Sequence, residues 1–379
     1  MSKLYKFTNF EERNEYLENY LSLDLSIVKD NFADKNQLEK VHCENLIGGV
    51  SVPVGVAGPI KILGIDEVFE KEVFVPLATT EGALVASVSR GFKAINEAKG
   101  CQTLVNQMGV TRGPVFVTDS LKKSKEFVDY LQKNQEEIKK ILESSSNHLK
   151  LLKIENKILG QNIYLRLYFD SGEAMGMNMA TIATQKLVDF LQQKFVDAEC
   201  LTVSGNYCID KKPAWLNFIN GRGLQVQAEV ILSSEILTKT LKTTAQKMFD
   251  TWLAKCMIGS AISGSLGFNL HFANVAAAFF IATGQDPAQV VEASLGMTIC
   301  KITKNGDLHI SIFMPSVMIA TIGGGTKLLT QQSMQKLIGV KNKTELARVL
   351  GATILAGEIS LLAAQTSGTL ASSHQKLGR

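Results

Sequence analysis

The rhythm of hydrophobic and polar positions changes several times along the chain, and each change marks an element. From about residue 8 to 45 the sequence is polar, with Phe10, Tyr16, Leu17 and Leu21 as a modest apolar stripe. That spacing predicts a small helical N-terminal domain, residues 1–45. Gly48-Gly49-Val50-Ser51-Val52-Pro53 then breaks the pattern, and a hairpin-like stretch runs to Pro76. A helical pattern follows from Glu81 to Lys99, with Gly100 as its stop. Residues 114–204 carry the clearest signal. Positions 115–117 read as a strand, 121–142 as a helix, and 151–158 and 163–169 as two strands joined by a Gly-Gln-Asn turn. Positions 177–195 read as a helix and 200–203 as a strand. That order, β-α-β-β-α-β, is ferredoxin-like.

Beyond residue 204 helices mix with one strong hairpin signal. Residues 299–303 and 308–313 flank Asn305-Gly306, a pair suited to a type I′ turn. The last long helical pattern begins near Asn342, with Glu345 three residues on as a capping-box partner. Its face runs Leu346, Val349, Leu350, Thr353, Ile354. The whole reads as an α+β fold. No G-x-G-x-x-G follows a strand and opens a helix, so a Rossmann nucleotide site is not supported.

Composition narrows the classes. The 379 residues are 45% hydrophobic and 20% charged, enough for a real core. A net charge of +4 without a Lys/Arg block gives no sign of nucleic acid. The six cysteines lie far apart with no C-x-x-C pair, which suits a reducing cytosol rather than a disulfide scaffold. The five histidines include no i, i+4 pair, so no metal site is expected. The nearly apolar run at residues 275–282 is shorter than the roughly 20 residues of a membrane helix. A soluble cytoplasmic protein, with no membrane or nucleic-acid partner, is expected.

Several short segments could carry chemistry. Thr79-Thr80-Glu81-Gly82-Ala83 puts a carboxylate in the first turn of the predicted helix. By itself that is an ordinary helix-dipole partner; as a proton donor it would need its pKa raised by burial or a second carboxylate. Asp210-Lys211-Lys212-Pro213 lies in a loop flanked by apolar and small residues, which suits a partly buried lysine able to hold an oxyanion. Asp286-Pro287 reads as N-cap and first helical residue. Two glycine-rich spots, 172–178 and 323–326, each precede a helix and could cradle anions. Taken alone, each also has a purely structural reading: a solvated charge triplet, a helix break, a turn.

Together these segments strongly resemble the HMG-CoA reductase family, in particular its class I form. The resemblance runs from Glu44-Asn45-Leu46-Ile47-Gly48 to His374. It includes residues 53–59 (Pro-Val-Gly-Val-Ala-Gly-Pro), the Thr-Thr-Glu-Gly start, residues 109–114, Ala174-Met175-Gly176-Met177-Asn178, residues 204–213, Gly-Gln-Asp-Pro and Met314-Pro315-Ser316. It implies a large substrate domain built from residues 46–113 and 205–379, with residues 114–204 as an inserted ferredoxin-like cofactor domain. It also implies NADPH as cofactor (NADH possible), HMG-CoA, mevalonate and CoA as ligands, and a homo-oligomer, dimer or dimer of dimers, with sites between subunits.

The catalytic set implied by the resemblance is Glu81, Lys211, Asp286 and His374. Lys211 would hold the oxyanion, His374 would protonate the CoA thiolate, and Glu81, raised in pKa by a neighbouring Asp286, would deliver the last proton. Arg112, Ser204, Lys212, Lys255 and Asn274 would hold the hydroxymethylglutaryl part; Ser87, Arg90 and His271 match CoA-side positions. Ser146, Asn147, His148, Glu173, Met175, Gly176, Met177, Asn178 and Gly324 match cofactor positions. The sequence departs from the family at three places. Glu173 replaces an aspartate, Ser146-Asn147-His148 replaces Ser-Arg-Phe, and Ser89 replaces an asparagine. The lost arginine opens an NADH-preferring alternative, with Lys150 and Lys153 nearby as substitute cations; because some relatives run oxidatively, a mevalonate-degrading member of the family is a further alternative. A CoA-thioester acyltransferase is the alternative from another class; it would need a nucleophilic cysteine beside a histidine, and Cys208 is the one cysteine inside a motif. A C-terminal flap hinged at Gly368 and carrying His374 is expected.

Overall fold

The computed structural model describes residues 7, 9–22, 24, 26 and 43–367. Helix α1 (Phe10–Leu21) is capped by Asn9, whose side chain accepts from the Glu12 N–H. Most of the rest of the predicted N-terminal helical region, including residues 27–42, lies outside the described residues, as do Gly368 and His374.

Strands β1 (Val54–Gly64) and β2 (Phe69–Ala78) form the expected hairpin, followed by α2 (Leu84–Glu97). The helix begins three residues later than its periodicity suggests. Ala83 takes a left-handed backbone (φ 71°) just before it, so Glu81 stands in the preceding turn rather than in the first helical turn. Strand β3 (Cys101–Arg112) bridges two layers: its first part pairs with β1 and with β8 (Arg222–Leu232), its last three residues with β6.

The second layer contains β4 (Val115–Val117), α3 (Leu121–Lys133), α4 (Gln135–Glu143), β5 (Lys150–Leu159), β6 (Asn162–Asp170), α5 (Met177–Lys194) and β7 (Glu199–Thr202). Pairing gives the order β7-β4-β6-β5, the ferredoxin-like arrangement. The single helix expected over 121–142 is two, because Asn134 leaves helical geometry (φ −117°, ψ 35°). Phe116, Phe127, Leu165, Leu187 and Leu191 form this layer's own core. The chain passes into the layer at Gly113 and out at Ser204 side by side, the Gly205 N–H donating to the Gly113 carbonyl at 2.7 Å.

The remaining elements return to the larger layer. They are α6 (Trp215–Asn220), β8, α7 (Ser234–Lys239), α8 (Ala245–Trp252), a π-helical turn (Leu253–Gly259), α9 (Ser260–Ser263), β9 (Gly267–Phe268), α10 (Phe272–Thr283), α11 (Val290–Ala293), β10 (Gly296–Ile302), β11 (Leu308–Val317), α12 (Leu329–Ile338) and α13 (Lys343–Thr366). The β10–β11 hairpin is present, but its turn is not type I′. Of Asn305 and Gly306 only Gly306 has positive φ (83°), and the Gly306 N–H donates to the Thr303 carbonyl at 3.0 Å. This is a type I turn closed by a left-handed glycine.

Helix α13 organises the larger core. Asn342 caps it as expected, accepting from the Glu345 N–H at 2.8 Å, while the Glu345 carboxylate reaches the Lys341 N–H and the Lys71 ammonium. Instead of burying one face, α13 is buried nearly all round, against α2, α10 and the sheet. Gly91 of α2 permits the closest approach: a Cβ there would stand 2.1 Å from the Ala356 carbonyl oxygen. Among the described residues α13 alone is long and apolar enough to cross a membrane, but 94% of that stretch is buried inside the protein. Its buried Arg348 is neutralised by Asp66 and Glu67.

Candidate active site

The loop between β7 and α6 carries Lys211, and its backbone is unusual. Asn206 (φ 63°), Ile209 (φ 48°) and Lys211 (φ 57°) all take the left-handed region. For a β-branched residue such as Ile209 that is a steric outlier that surrounding contacts must hold. Those contacts are present. Thr111 Oγ1 donates to the Cys208 carbonyl at 2.6 Å, Asn217 Nδ2 donates to the Ile209 carbonyl at 3.0 Å, and the Lys211 N–H donates to Glu292 at 2.7 Å. So fixed, the half-exposed Lys211 ammonium reaches Asp286 at 2.8 Å, and that hydrogen bond holds the ammonium above its ordinary pKa. Asp286 caps the short turn after α10 through the Ala288 N–H, the predicted Asp-Pro start.

Beneath this pair lies a buried network that residue patterns did not reveal. Arg222, fully buried, donates to Glu292 at 2.6 Å, to Asp210 at 3.0 Å and to Thr111 at 2.8 Å. Glu292, also fully buried, accepts in addition from Asn217 and Ser316, each at 3.0 Å. These residues are scattered over five elements and a loop with no shared spacing, so only their buried charge, once folded, marks them.

The predicted substrate residues fall into two groups. Arg112 and Ser204 meet (Nη1 to Oγ, 3.3 Å), and Arg112 also donates to Thr181 at 3.0 Å. Lys212 is exposed and donates to the Asp210 carbonyl at 3.3 Å. Lys255, on the π-helical turn, lines a cavity of about 620 Å3 with Pro213, Ser260, Asn269 and Ser294. The second group stands elsewhere. Asn274 donates to both Glu81 oxygens at 3.1 and 2.9 Å. Ser87 and Arg90 bond Ser360 of α13, and burial lowers the Arg90 pKa. The His271 N–H donates to Glu358, and its buried Nε2 has no partner among the described residues.

The expected contact of Asp286 with Glu81 is therefore not made within one chain. Asn274, holding Glu81, is at the start of α10, and Asp286 lies beyond its end at Gly284. Ten residues of helix separate those ends by about 15 Å.

The two glycine-rich segments, far apart in sequence, come together. Ala174 bridges to Ile322, and the Thr321 N–H donates to the Glu173 carbonyl at 3.0 Å. Gly176 (φ 88°) precedes α5 with no side-chain cap, leaving that helix start open to an anion. Open space faces Gly323 and Gly324, where an added Cβ would meet nothing within 4 Å. Ser146 touches Met179, and the His148 carbonyl stands 4.0 Å from where a Gly172 Cβ would be, so the 146–148 turn borders the cradle formed by the two glycine-rich segments. The Glu173 carboxylate is already engaged, by the Thr321 hydroxyl and the Lys343 N–H, both at 2.7 Å. It ties the cradle to α13. Among the described residues no group of three or more His, Cys, Asp or Glu could hold a metal. Cys208 is buried beside Ser204, and burial pushes the Cys101 and Cys256 thiols up to about 12, far from an acylating nucleophile.

Comparison with known proteins identifies the family. A family model described as Hydroxymethylglutaryl-coenzyme A reductase matches residues 9–379. The 3-hydroxy-3-methylglutaryl-coenzyme A reductase of Pyrococcus abyssi is 43% identical over 378 residues, covering 97% of this chain and 92% of that protein. That of Methanocaldococcus jannaschii is 43% identical over 377 residues, covering 97% and 92%. The fold matches the NADPH-bound class II 3-hydroxy-3-methylglutaryl-CoA reductase of Streptococcus pneumoniae with a TM-score of 0.71 at 20% identity, over 96% of this chain and 100% of that one. With the family model spanning nearly the whole sequence, this chain belongs to the hydroxymethylglutaryl-coenzyme A reductase family.

Proposed function

We propose that this chain reduces 3-hydroxy-3-methylglutaryl-CoA to mevalonate and CoA, consuming two NADPH and two protons, in the biosynthetic direction. The observation that carries the reading is the Lys211–Asp286 pair, a charged ammonium locked on a strained backbone two residues from the cavity that Lys255 lines. The cradle between 172–178 and 323–324 would hold the cofactor, which would supply two hydride equivalents when bound. Lys211 stabilises the oxyanion at the former carbonyl oxygen, a task for which an ammonium kept charged by Asp286 is suited. His374, assigned by resemblance, protonates the departing thiolate sulfur. Glu81 then gives a proton to the alkoxide that becomes the alcohol. Arg112, Ser204, Lys212, Lys255 and Asn274 bind the acyl part, and Ser87, Arg90 and His271 the CoA part.

Glu81 can meet Lys211 only if a second copy of the chain brings it, because α10 holds the two groups apart in one chain. That separation supports an active site between subunits of a homo-oligomer. Mixing Lys211→Ala with Glu81→Gln tests this. Random reassociation puts one intact site in each mixed dimer and restores about a quarter of wild-type turnover; no recovery would mean that each chain forms its own site.

A class I-like assignment is supported by 41–43% identity to archaeal and plant relatives against 20% to the class II structure. NADPH preference is supported by Lys150, exposed beside the 146–148 turn; Lys153 is already paired with Glu155 at 2.7 Å. Steady-state kinetics with both cofactors decide it, and a kcat/KM favouring NADH tenfold, about 1.4 kcal/mol, reverses the assignment. The reaction itself is checked by loss of reduced-nicotinamide absorbance. Two NADPH should disappear per HMG-CoA, with mevalonate and CoA formed. A ratio of one with aldehyde accumulating, or no loss at all, refutes the reading.

A further inference from the structure

We infer that Asn217 is a positioning residue for Lys211, with Arg166 fixing which way its amide faces; the inference rests on the role given to Lys211 above. Three observations carry it. The first is the backbone of the lysine loop, where Ile209 and Lys211 both sit at positive φ (48° and 57°). Neither residue prefers that region, so the loop keeps this shape only while outside groups hold it.

The second observation is the place of Asn217. It is fully buried in α6, and its single amide meets three partners. Nδ2 donates to the Ile209 carbonyl at 3.0 Å and to Glu292 Oε2 at 3.0 Å. Glu292 in turn receives the Lys211 N–H at 2.7 Å. One side chain therefore grips the strained loop at Ile209 directly and at Lys211 through Glu292.

The third is Arg166. Its guanidinium is fully buried on β6, stacks over Tyr168 at 4.9 Å, and donates from Nη2 to Asn217 Oδ1 at 2.7 Å. Among the described residues Nε and Nη1 have no hydrogen-bond partner, and no carboxylate stands within ion-pair distance, Glu155 attracting the guanidinium only from farther away. A buried cation with a single side-chain hydrogen bond is a poor stabiliser of the fold. It does have one clear effect: an arginine has only donors, so the atom of Asn217 facing it must be the oxygen. The amide nitrogen is then forced toward Ile209 and Glu292. Arg166 thus sets the orientation, Asn217 transmits it, and the Lys211 backbone receives it.

The test is a double-mutant cycle on the full-length protein. Asn217→Asp keeps the shape but replaces the donor with an acceptor facing Glu292. We expect kcat to fall about tenfold, as for loss of two hydrogen bonds at roughly a factor of three each, with the KM for HMG-CoA within twofold. In a Lys211→Ala background the same change should cost less than twofold, because nothing remains to position. Unchanged kcat, or an equal loss in both backgrounds, overturns the inference and makes Asn217 merely structural. If Asn217→Asp does not fold, Arg166→Met takes its place; it removes the orienting cation and leaves an apolar side chain. Its expected loss is three- to tenfold in the wild-type background and none with Lys211→Ala, and the same two results overturn it. Failure of the Lys211 reading is distinct: Lys211→Ala alone would then keep near-normal turnover.

Discussion

Removing the Glu292 carboxylate should separate what holds the fold from what performs the chemistry. In Glu292→Ala, Arg222 stays fully buried and loses its 2.6 Å partner, keeping only the Asp210 oxygen as counter-charge. Breaking a buried ion pair from one side costs about 3–5 kcal/mol, because the other charge is left in a poorly solvated place. The Lys211 N–H and the Asn217 and Ser316 side chains also lose an acceptor, at about 1 kcal/mol each where no water can enter. Asp210 and admitted water offset part of this, so about 4 kcal/mol is the expected loss. Urea denaturation followed by circular dichroism measures it. The companion variant Arg222→Met with Glu292→Leu removes both charges, and an apolar pair of similar volume should return most of the stability. It should not return turnover, since Lys211 still lacks its backbone anchor. Stability in Glu292→Ala within about 1 kcal/mol of wild type, or full turnover in the double variant, would refute the reasoning.

The glycine cradle gives a second prediction. Gly176→Ala puts a Cβ 2.2 Å from the Ser171 Cβ at φ 88°, so the segment must shift and the KM for the nicotinamide cofactor should rise at least tenfold; an unchanged KM removes Gly176 from the site. Because Asp286 raises the Lys211 pKa, the ammonium stays charged through neutral pH, and its stabilising contribution is present below the unfolded pKa and lost only as pH rises through the folded value. Asp286→Asn should therefore move the alkaline limb of the kcat profile to lower pH, and an unmoved limb assigns that limb to another group. His374→Gln should slow HMG-CoA conversion by roughly 10²–10⁴ yet largely spare reduction of free mevaldehyde, in which no thiolate needs a proton; equal losses would make the residue one of binding.

How much was legible beforehand follows from the range of the forces involved. Periodicity is local, so it located the β5–β6 hairpin, the α13 cap at Asn342 and the ferredoxin-like order of strands. It failed where a tertiary contact or a backbone choice overrode the pattern. Asn134 splits one expected helix into two, and Ala83 delays α2 so that Glu81 leaves the helix start. Asn305 stays out of the left-handed region that a type I′ turn needs. In α13 the pattern showed one apolar face, and burial on all sides became visible only with α2, α10 and the sheet around it.

Motifs in a fixed order survive without any knowledge of contacts, so the family was legible in the chain, as were the residue types able to hold an oxyanion or a phosphate. Which of those residues meet depended on folding. It joined Gly323-Gly324 to the 172–178 segment, paired Lys211 with Asp286, and held Glu81 away with Asn274 at the far end of α10. It also brought Arg166, Asn217, Arg222 and Glu292 into one buried network under the lysine. The physical reason is that a charge buried in a protein must find its counter-charge or hydrogen bonds in three dimensions, and partners separated by tens of residues leave no periodic trace in the chain.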